Sequence, residues 1–188
     1  TEAIFDWSVP IHASHSPDDD EISATLSLAE SARCGITFTV EAGTVAFPKM
    51  VLKGFETVGV GGAIGSWGWD VGNGPYVDCV DGVLERQLQV LEITKNHSSV
   101  KGWVTLVGHD LMSDELLQKA SNLAKENSTN LTFHLSPHAG EVSQYLEKTG
   151  MRPVTYISEL GVLGSHLLIG HAVHIDDSEL EILINSKT

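Results

Sequence analysis

The stretches LTFHLSPHAGEV (residues 131–142) and LLIGHAVHIDD (residues 167–177) decide the fold class of this chain. Each opens with a short apolar run typical of a buried strand and reaches a histidine as that run ends. The carboxyl ends of parallel strands lie at one rim of a barrel, so two such units bring His134 and His171 to the same rim. Either histidine alone could instead be a buried polar side chain that satisfies backbone carbonyls.

The same alternation of strand and helix extends along the chain. Strands are predicted near residues 36–40, 57–64, 101–107, 131–135 and 167–172, and helices over residues 17–34, 81–95, 113–128, 139–150 and 176–188. Strands alternating with helices predict a parallel sheet, but periodicity does not separate an open doubly wound sheet from part of an eight-stranded barrel. The barrel is favoured because His109, His134 and His171 all fall at or just beyond strand ends, where barrel enzymes collect catalytic groups.

Composition narrows the class of protein. The 188 residues suit one domain, and 41% hydrophobic with 19% charged residues is typical of a soluble globular protein. A formal charge of −14 argues against a nucleic-acid partner, because the chain would repel phosphate. No apolar run approaches the ~20 residues of a membrane helix. Two cysteines give no disulfide framework and the N-terminus does not resemble a secretory signal, so we expect a cytoplasmic protein.

A glycine-rich segment, GVGGAIGSWGWDVGNGP (residues 59–75), follows the second predicted strand. It lacks the G-x-G-x-x-G spacing of a dinucleotide-binding turn, because Ile64 stands at the last glycine position. A loop of small residues with aromatic side chains predicts a lid or pocket wall, with Trp67 and Trp69 binding a flat or apolar substrate. Alternatively, the tryptophans only pack the loop onto the barrel.

Histidine is the side chain that points to chemistry here. Neutral imidazole suits Zn, Fe, Ni or Cu, and a catalytic metal site uses three or four protein groups while keeping one position for water. His138 and His174 are weaker candidates, the first as a loop residue and the second as a cap for the last helix with Asp176 and Asp177. The histidines predicted to be solvated are His12, His15, His97 and His166.

Residues 133–183 resemble the segment of the amidohydrolase superfamily, in its cytosine deaminase and chlorohydrolase-like branch, that runs from the fifth barrel strand through the sixth. The resemblance rests on His134-Leu135, on the Arg152-Pro153 pair and on the strand that ends with His171 and His174. GITFTVEAGT (residues 35–44) resembles the second strand, and LVGHDLMSDELL (residues 106–117) the fourth. The similarity covers nearly the whole chain.

This resemblance implies a partial (β/α)8 TIM-type barrel, with residues 1–188 forming a single catalytic-barrel fragment that holds strands two to six of eight. It implies that His134 is a metal ligand, that His171 is a catalytic residue that also binds metal in binuclear members, and that His109 contacts substrate. A divalent metal, zinc first and iron second, would activate water for attack on a C–N bond of a small, possibly heterocyclic substrate.

The sequence departs from the family pattern at two places. It has no His-x-His pair and no counterpart of the strand-eight Asp, so we expect the isolated chain to be inactive and its open strand edges to self-associate, or to belong to a longer chain. Pro137 stands where deaminases of this branch have a proton-shuttling Glu. The alternatives are a metal-free barrel relative, which Pro137 favours, and an open-sheet module that binds a small ligand through residues 67–76.

Overall fold

Parallel strands form the framework of the fold. The structure, a computed structural model, describes residues 3–43, 45–108 and 110–188. Its strands are β1 (Phe38–Val40), β2 (Gly61–Ile64), β3 (Val100–Gly102), β4 (Val104–Thr105), β5 (Leu131–Leu135) and β6 (Leu167–His171). They pair in the orders β1-β2-β3 and β4-β5-β6, and every pair is parallel.

β3 and β4 are two halves of one bent strand, because Trp103 alone separates them. The Trp103 N–H donates to the Ile64 carbonyl of β2 at 2.9 Å, whereas the next N–H, that of Val104, donates to the Asn130 carbonyl beside β5 at 2.9 Å. The two short sheets therefore form one curved wall of five strands in sequential order. A doubly wound sheet reverses its strand order, so this order confirms the partial barrel; the described residues do not close it.

Helices follow the strands and cover one face of the wall. They are α1 (Val9–Ala13), α2 (Pro17–Arg33), α3 (Pro48–Val58), α4 (Val80–Thr94), α5 (Asp114–Glu126), α6 (Ala139–Thr149), α7 (Pro153–Glu159) and α8 (Asp177–Ser186), preceded by a π-helical segment (Ala3–Ser8). The five predicted helices are confirmed. Among the described residues, none of the helices has the combined length and apolar character of a membrane-spanning helix.

The structure contains three helices that the sequence analysis does not predict, namely α1, α3 and α7. α3 and α7 each begin with a proline, which the first helical position accepts. α3 takes residues 57 and 58 away from the strand predicted over 57–64, and Gly59 ends the helix with a left-handed φ of 77°. The strand therefore begins only at Gly61.

Side-chain caps fix the starts of several helices. Ser16 and Asp19 form a reciprocal capping box at α2, and Asp176 and Glu179 form another at α8. The Ser113 hydroxyl accepts the first-turn N–H of Leu116 at α5. These polar side chains satisfy backbone donors that would otherwise be unpaired, which is why the helices begin where they do.

The hydrophobic core lies between the wall and its helices. Phe133, Leu131 and Leu106 pack against Leu116 and Ile157 in one cluster, and a second cluster fills the space beneath α2, α3 and α4. The opposite face is open. Phe38 of β1 is 56% exposed and Leu168 of β6 is 46% exposed, because no described element covers the concave side of the wall.

Candidate active site

His134 and His171 meet at the carboxyl ends of β5 and β6. Their ring centroids lie 4.9 Å apart, with the ring planes inclined by 44°. His134 is half-buried and His171 is exposed, so solvent reaches the pair at His171. The structure thus brings together two of the three strand-end histidines. His109, the predicted substrate contact, lies outside the described residues.

Strand alternation would not bring these two rings together. In register, His134 is opposite Gly170 and Leu135 is opposite His171, so a regular strand would point His171 toward the helices with Leu135. His171 instead has a φ of 70° and Ala172 a φ of 51°. Relative to a parallel strand, this change turns the Cβ of His171 by about half a turn around its N–Cα bond. The left-handed conformation costs on the order of 1–2 kcal/mol per residue, so the surroundings must hold it.

Two glycines make room for His134. A Cβ on Gly170 would lie 2.8 Å from the Nδ1 of His134, closer than carbon and nitrogen atoms approach each other in proteins. Gly108 has a φ of 84°, and a Cβ there would collide with the backbone carbonyl of His134. The ring and the backbone of His134 are therefore each bordered by a position that excludes a side chain.

The loop after β5 ties the two strand ends together. Ser136 is buried with a φ of 55°, and its carbonyl accepts the N–H groups of Val173 at 3.2 Å and His174 at 3.1 Å. Its own N–H donates to the Glu141 Oε1 at 2.8 Å, so a buried carboxylate from α6 anchors this loop. Pro137 follows directly, half-buried, and carries no group that exchanges a proton.

The two weaker candidates have structural roles. His138 is the N-cap of α6, and its Nδ1 accepts the N–H of Glu141 at 3.1 Å. The predicted capping role of His174 is wrong, because Asp176 is the N-cap of α8 and forms the capping box with Glu179. The carbonyl of His174 instead accepts a hydrogen bond from Arg152 at 2.8 Å.

Trp67 and Trp69 lie in a buried aromatic cluster after β2. Their side chains are 2% and 0% exposed, and Trp67 stacks on Tyr76 with ring centroids 4.9 Å apart. The Arg86 guanidinium closes the loop by donating to the carbonyls of Trp67 and Tyr76. The tryptophans therefore pack the loop, and their contact with substrate stays a prediction. Within the described part of the chain, neither indole N–H has a hydrogen-bond partner.

Sequence reasoning missed the part that the N-terminal segment plays in this cluster. The His12 ring lies 5.9 Å from that of Trp67, and the His15 Nδ1 is 2.9 Å from the Asp20 Oδ1. Burial, and then the neighbouring His15, lower the pKa of His12. The prediction that these histidines are solvated is wrong, also for His97 and His166, which are half-buried and hydrogen-bonded. Their short, irregular contexts carried no periodic signal.

Metal binding has to be judged from the donors present. Across residues 3–43, 45–108 and 110–188, no three His, Cys, Asp or Glu side chains are grouped to hold a metal ion. His134 and His171 supply two adjacent imidazoles, which is the correct ligand chemistry for zinc but fewer groups than a catalytic site uses. The described residues thus fit part of such a site.

The chain is similar in sequence to known deaminases. A 5-methylthioadenosine/S-adenosylhomocysteine deaminase of Syntrophobacter fumaroxidans is 28% identical over 158 residues, which are 84% of this chain and 35% of that protein. A 5'-deoxyadenosine deaminase of Methanopyrus kandleri is 28% identical over 167 residues, 85% of this chain and 36% of that protein. The chain therefore spans little more than a third of the length of these relatives.

Solved structures share the fold. An adenosine deaminase from Xanthomonas campestris with bound Zn has a TM-score of 0.85 at 18% identity, over 97% of this chain and 40% of that chain. A guanine deaminase from C. acetobutylicum with bound guanine has a TM-score of 0.81 at 17% identity, over 96% of this chain and 45% of that chain. The sequence model of the Amidohydrolase family matches residues 8–188. Since this match covers almost the whole chain, the chain belongs to the amidohydrolase family.

Proposed function

We propose that residues 1–188 form a single catalytic-barrel unit, strands two to six, of a metal-dependent hydrolase that acts on a C–N bond of a small heterocyclic substrate. The observation that carries the proposal is the approach of the His134 and His171 rings to 4.9 Å at the carboxyl ends of adjacent strands. Substrate class is inferred from relatives named as deaminases of adenine nucleosides. The chain's net charge of −14 agrees with a small-molecule substrate rather than a nucleic acid.

His134 and His171 would hold the metal, with the remaining ligands supplied from outside the described residues. Zinc is the favoured ion, since imidazole suits it and a structural relative contains it, and iron is the second choice. When bound, a divalent ion lowers the pKa of a water molecule and polarises the carbon under attack.

The protein's own residues position the reactants in this proposal. His171, exposed at the rim, orients the substrate or the attacking water, while His134 occupies the space left by the missing side chains of Gly170 and Gly108. His109, Trp67 and Trp69 are the proposed substrate contacts. Pro137 transfers no proton, so the described loop lacks the proton-shuttling Glu of the family pattern. We expect no turnover from the isolated chain, because it supplies at most two of the metal ligands.

Elemental analysis tests this function. After dialysis against zinc, the chain should retain more metal than its His134→Ala and His171→Ala variants. His97→Gln is the matched control, because His97 lies before β3 at the opposite end of the strands. The complete protein should release ammonia or another leaving group from adenosine, 5'-deoxyadenosine or guanine, and His134→Ala should abolish the release. Unchanged turnover in that variant would overturn the proposal.

A second candidate function rests on Pro137. A barrel relative without a proton shuttle could bind a planar ligand without turning it over, using the same rim. In that case the nucleosides would bind the complete protein without reaction, and removing metal with a chelator would leave binding unchanged. Lost binding after chelation would contradict this second candidate.

The open edges of the wall support self-association. Among the described residues, β1 pairs only with β2, and β6 only with β5. Uncovered edges and exposed apolar side chains such as Phe38 and Leu168 promote association. We expect dimers or larger species of this chain in sedimentation velocity runs. A stable monomer at all concentrations would contradict this expectation.

A further inference from the structure

The Arg152 side chain connects α7 to the loop that follows His171. Its Nε lies 2.8 Å from the Glu179 Oε2 and 2.8 Å from the Asp176 Oδ2. A second nitrogen of the same guanidinium donates to the His174 carbonyl at 2.8 Å. One cation therefore binds two carboxylates on α8 and its cap, and one backbone carbonyl of the intervening loop.

Glu179 is the buried half of this arrangement. Its side chain is fully buried in the first turn of α8, and its Oε1 accepts the N–H of Val154 at 2.8 Å. Its Oε2 accepts the N–H of Asp176 at 3.3 Å in addition to the bond from Arg152. A buried carboxylate is tolerated only when it is paired and hydrogen-bonded in this way, so Glu179 fixes where Arg152 lies.

The turn between β6 and α8 is strained and is held at both ends. His171 and Ala172 both have positive φ, a conformation that residues with a Cβ rarely adopt. On the strand side, Ala172 N–H donates to the Leu135 carbonyl at 3.0 Å, and the next two N–H groups donate to Ser136. On the helix side, Arg152 donates a hydrogen bond to the His174 carbonyl. Such strain persists only where the surroundings enforce it.

We propose that Arg152 and Glu179 are positioning residues that keep the His171 ring turned toward His134. The pair acts through the backbone of residues 172–174 and does not itself touch the rings. Its catalytic meaning rests on the proposed function, but its geometric effect does not. A role limited to starting α8 would stabilise the fold without affecting the ring pair.

Nuclear magnetic resonance of the full chain distinguishes these two roles. The rings are close enough for a cross-relaxation peak between the ring protons of His134 and His171. Arg152→Gln and Glu179→Gln should weaken or remove this peak. The same variants should speed amide exchange at residues 172–174 by about tenfold or more, with little change at Phe133 in β5. Arg152→Lys keeps the charge but not the planar fork, and should give an intermediate result.

The matched control is Ile157→Val, which destabilises α7 from its buried face without touching the turn. If Arg152→Gln does not fold, Arg152→Lys carries the test alone. The positioning role would be overturned if the ring peak stayed intact in Arg152→Gln. It would also be overturned if amide exchange in that variant rose as much in β5 as at residues 172–174, or if Ile157→Val gave the same rise at residues 172–174. Zinc retention by the unmodified chain is a separate measurement that tests the proposed function. If the unmodified chain retained no zinc, the proposed function would fail, but loss of the ring peak in Arg152→Gln would still support the positioning role.

Discussion

The His171 ring lies 4.9 Å from the His134 ring, although the residue that His171 pairs with in register is Leu135, which faces the helices. The left-handed φ at His171 accounts for this, because it turns the side chain to the face that His134 occupies. The alternation of side chains between the two faces of β6 therefore ends at His171, its last residue. A histidine at the last strand position can thus share a site with one that lies on the opposite side of the pleat.

Gly170→Ala should separate the two rings. The added Cβ would lie 2.8 Å from the His134 Nδ1, so the imidazole must move or the strands must part. We expect a loss of about 1–3 kcal/mol of unfolding free energy, typical of overpacking, together with loss of the ring proton contact. Urea unfolding and proton spectra measure both. Leu168→Ala, on the same face and exposed, is the control; equal effects from the two variants would contradict the steric account.

Glu141 should matter as a hydrogen-bond acceptor. Glu141→Leu leaves the buried N–H of Ser136 without its 2.8 Å partner, and we expect it to cost about 1–3 kcal/mol. Glu141→Gln keeps a carbonyl oxygen that can accept the same bond, and should lie much closer to the unmodified chain. Urea unfolding of both variants checks the order, and a Gln variant as unstable as the Leu variant would show that the charge is what matters.

Thr105 links β4 to the segment that follows β2. Its Oγ1 accepts from the Ser66 N–H at 3.0 Å and donates to the Ser66 carbonyl at 2.8 Å, in a fully buried position. Thr105→Val removes both bonds at constant shape and should destabilise the fold by about 1–3 kcal/mol. Thr105→Ser keeps the hydroxyl. Thermal unfolding should therefore rank Ser above Val, and the reverse order would point to packing as the main contribution.

Much of the fold could be predicted from the sequence. The five strand positions follow from apolar runs, and the start of α2 follows from Ser16, Pro17 and the acidic residues after them. α3 was missed because residues 57 and 58 were assigned to the strand that follows, although its buried residues Val51 and Phe55 lie at helical spacing. Gly54 is needed there, since a Cβ would lie 2.9 Å from the Cβ of Ala24 in α2. This requirement comes from the packing of α3 against α2, so it cannot be recognised in the sequence around Gly54.

The strand-end position of the two candidate histidines could be predicted from the sequence, but their relative geometry could not. His134 and His171 could be named because they follow apolar runs. The positive φ at position 171 could not be predicted, because the residue there is neither glycine nor asparagine, the types that usually adopt it. The Arg152 contacts join residues far apart in the sequence, so no local pattern reveals them. The burial of Trp67 and Trp69 depends on Tyr76 and on the N-terminal segment, which sequence reasoning left unassigned.

Acid should weaken the fold partly through His166. Burial, and then the nearby Lys125, lower the pKa of His166 from 6.5, while its ring bonds the Ser121 hydroxyl at 2.8 Å. The unfolded chain therefore takes up this proton first as the pH falls. The stability that His166 contributes is intact above pH 6.5 and declines as the pH drops below that value toward the lower pKa of the folded state.

The variant His166→Gln tests this pH dependence. Urea unfolding between pH 5 and 7.5 should give a shallower fall of unfolding free energy with acid than in the unmodified chain, because one proton linkage has been removed. A parallel fall in both proteins would mean that His166 titrates equally in the folded and unfolded states.

The most direct measurement of the central claim is a zinc titration of the full chain followed through the ring proton signals of its histidines. If His134 and His171 form the metal-binding part of the rim, their signals should shift together and before those of the other histidines. His134→Ala should then abolish the shift at His171. Zinc that first perturbs other histidines, or leaves both rim signals unchanged, would contradict the assignment of this rim as the metal site.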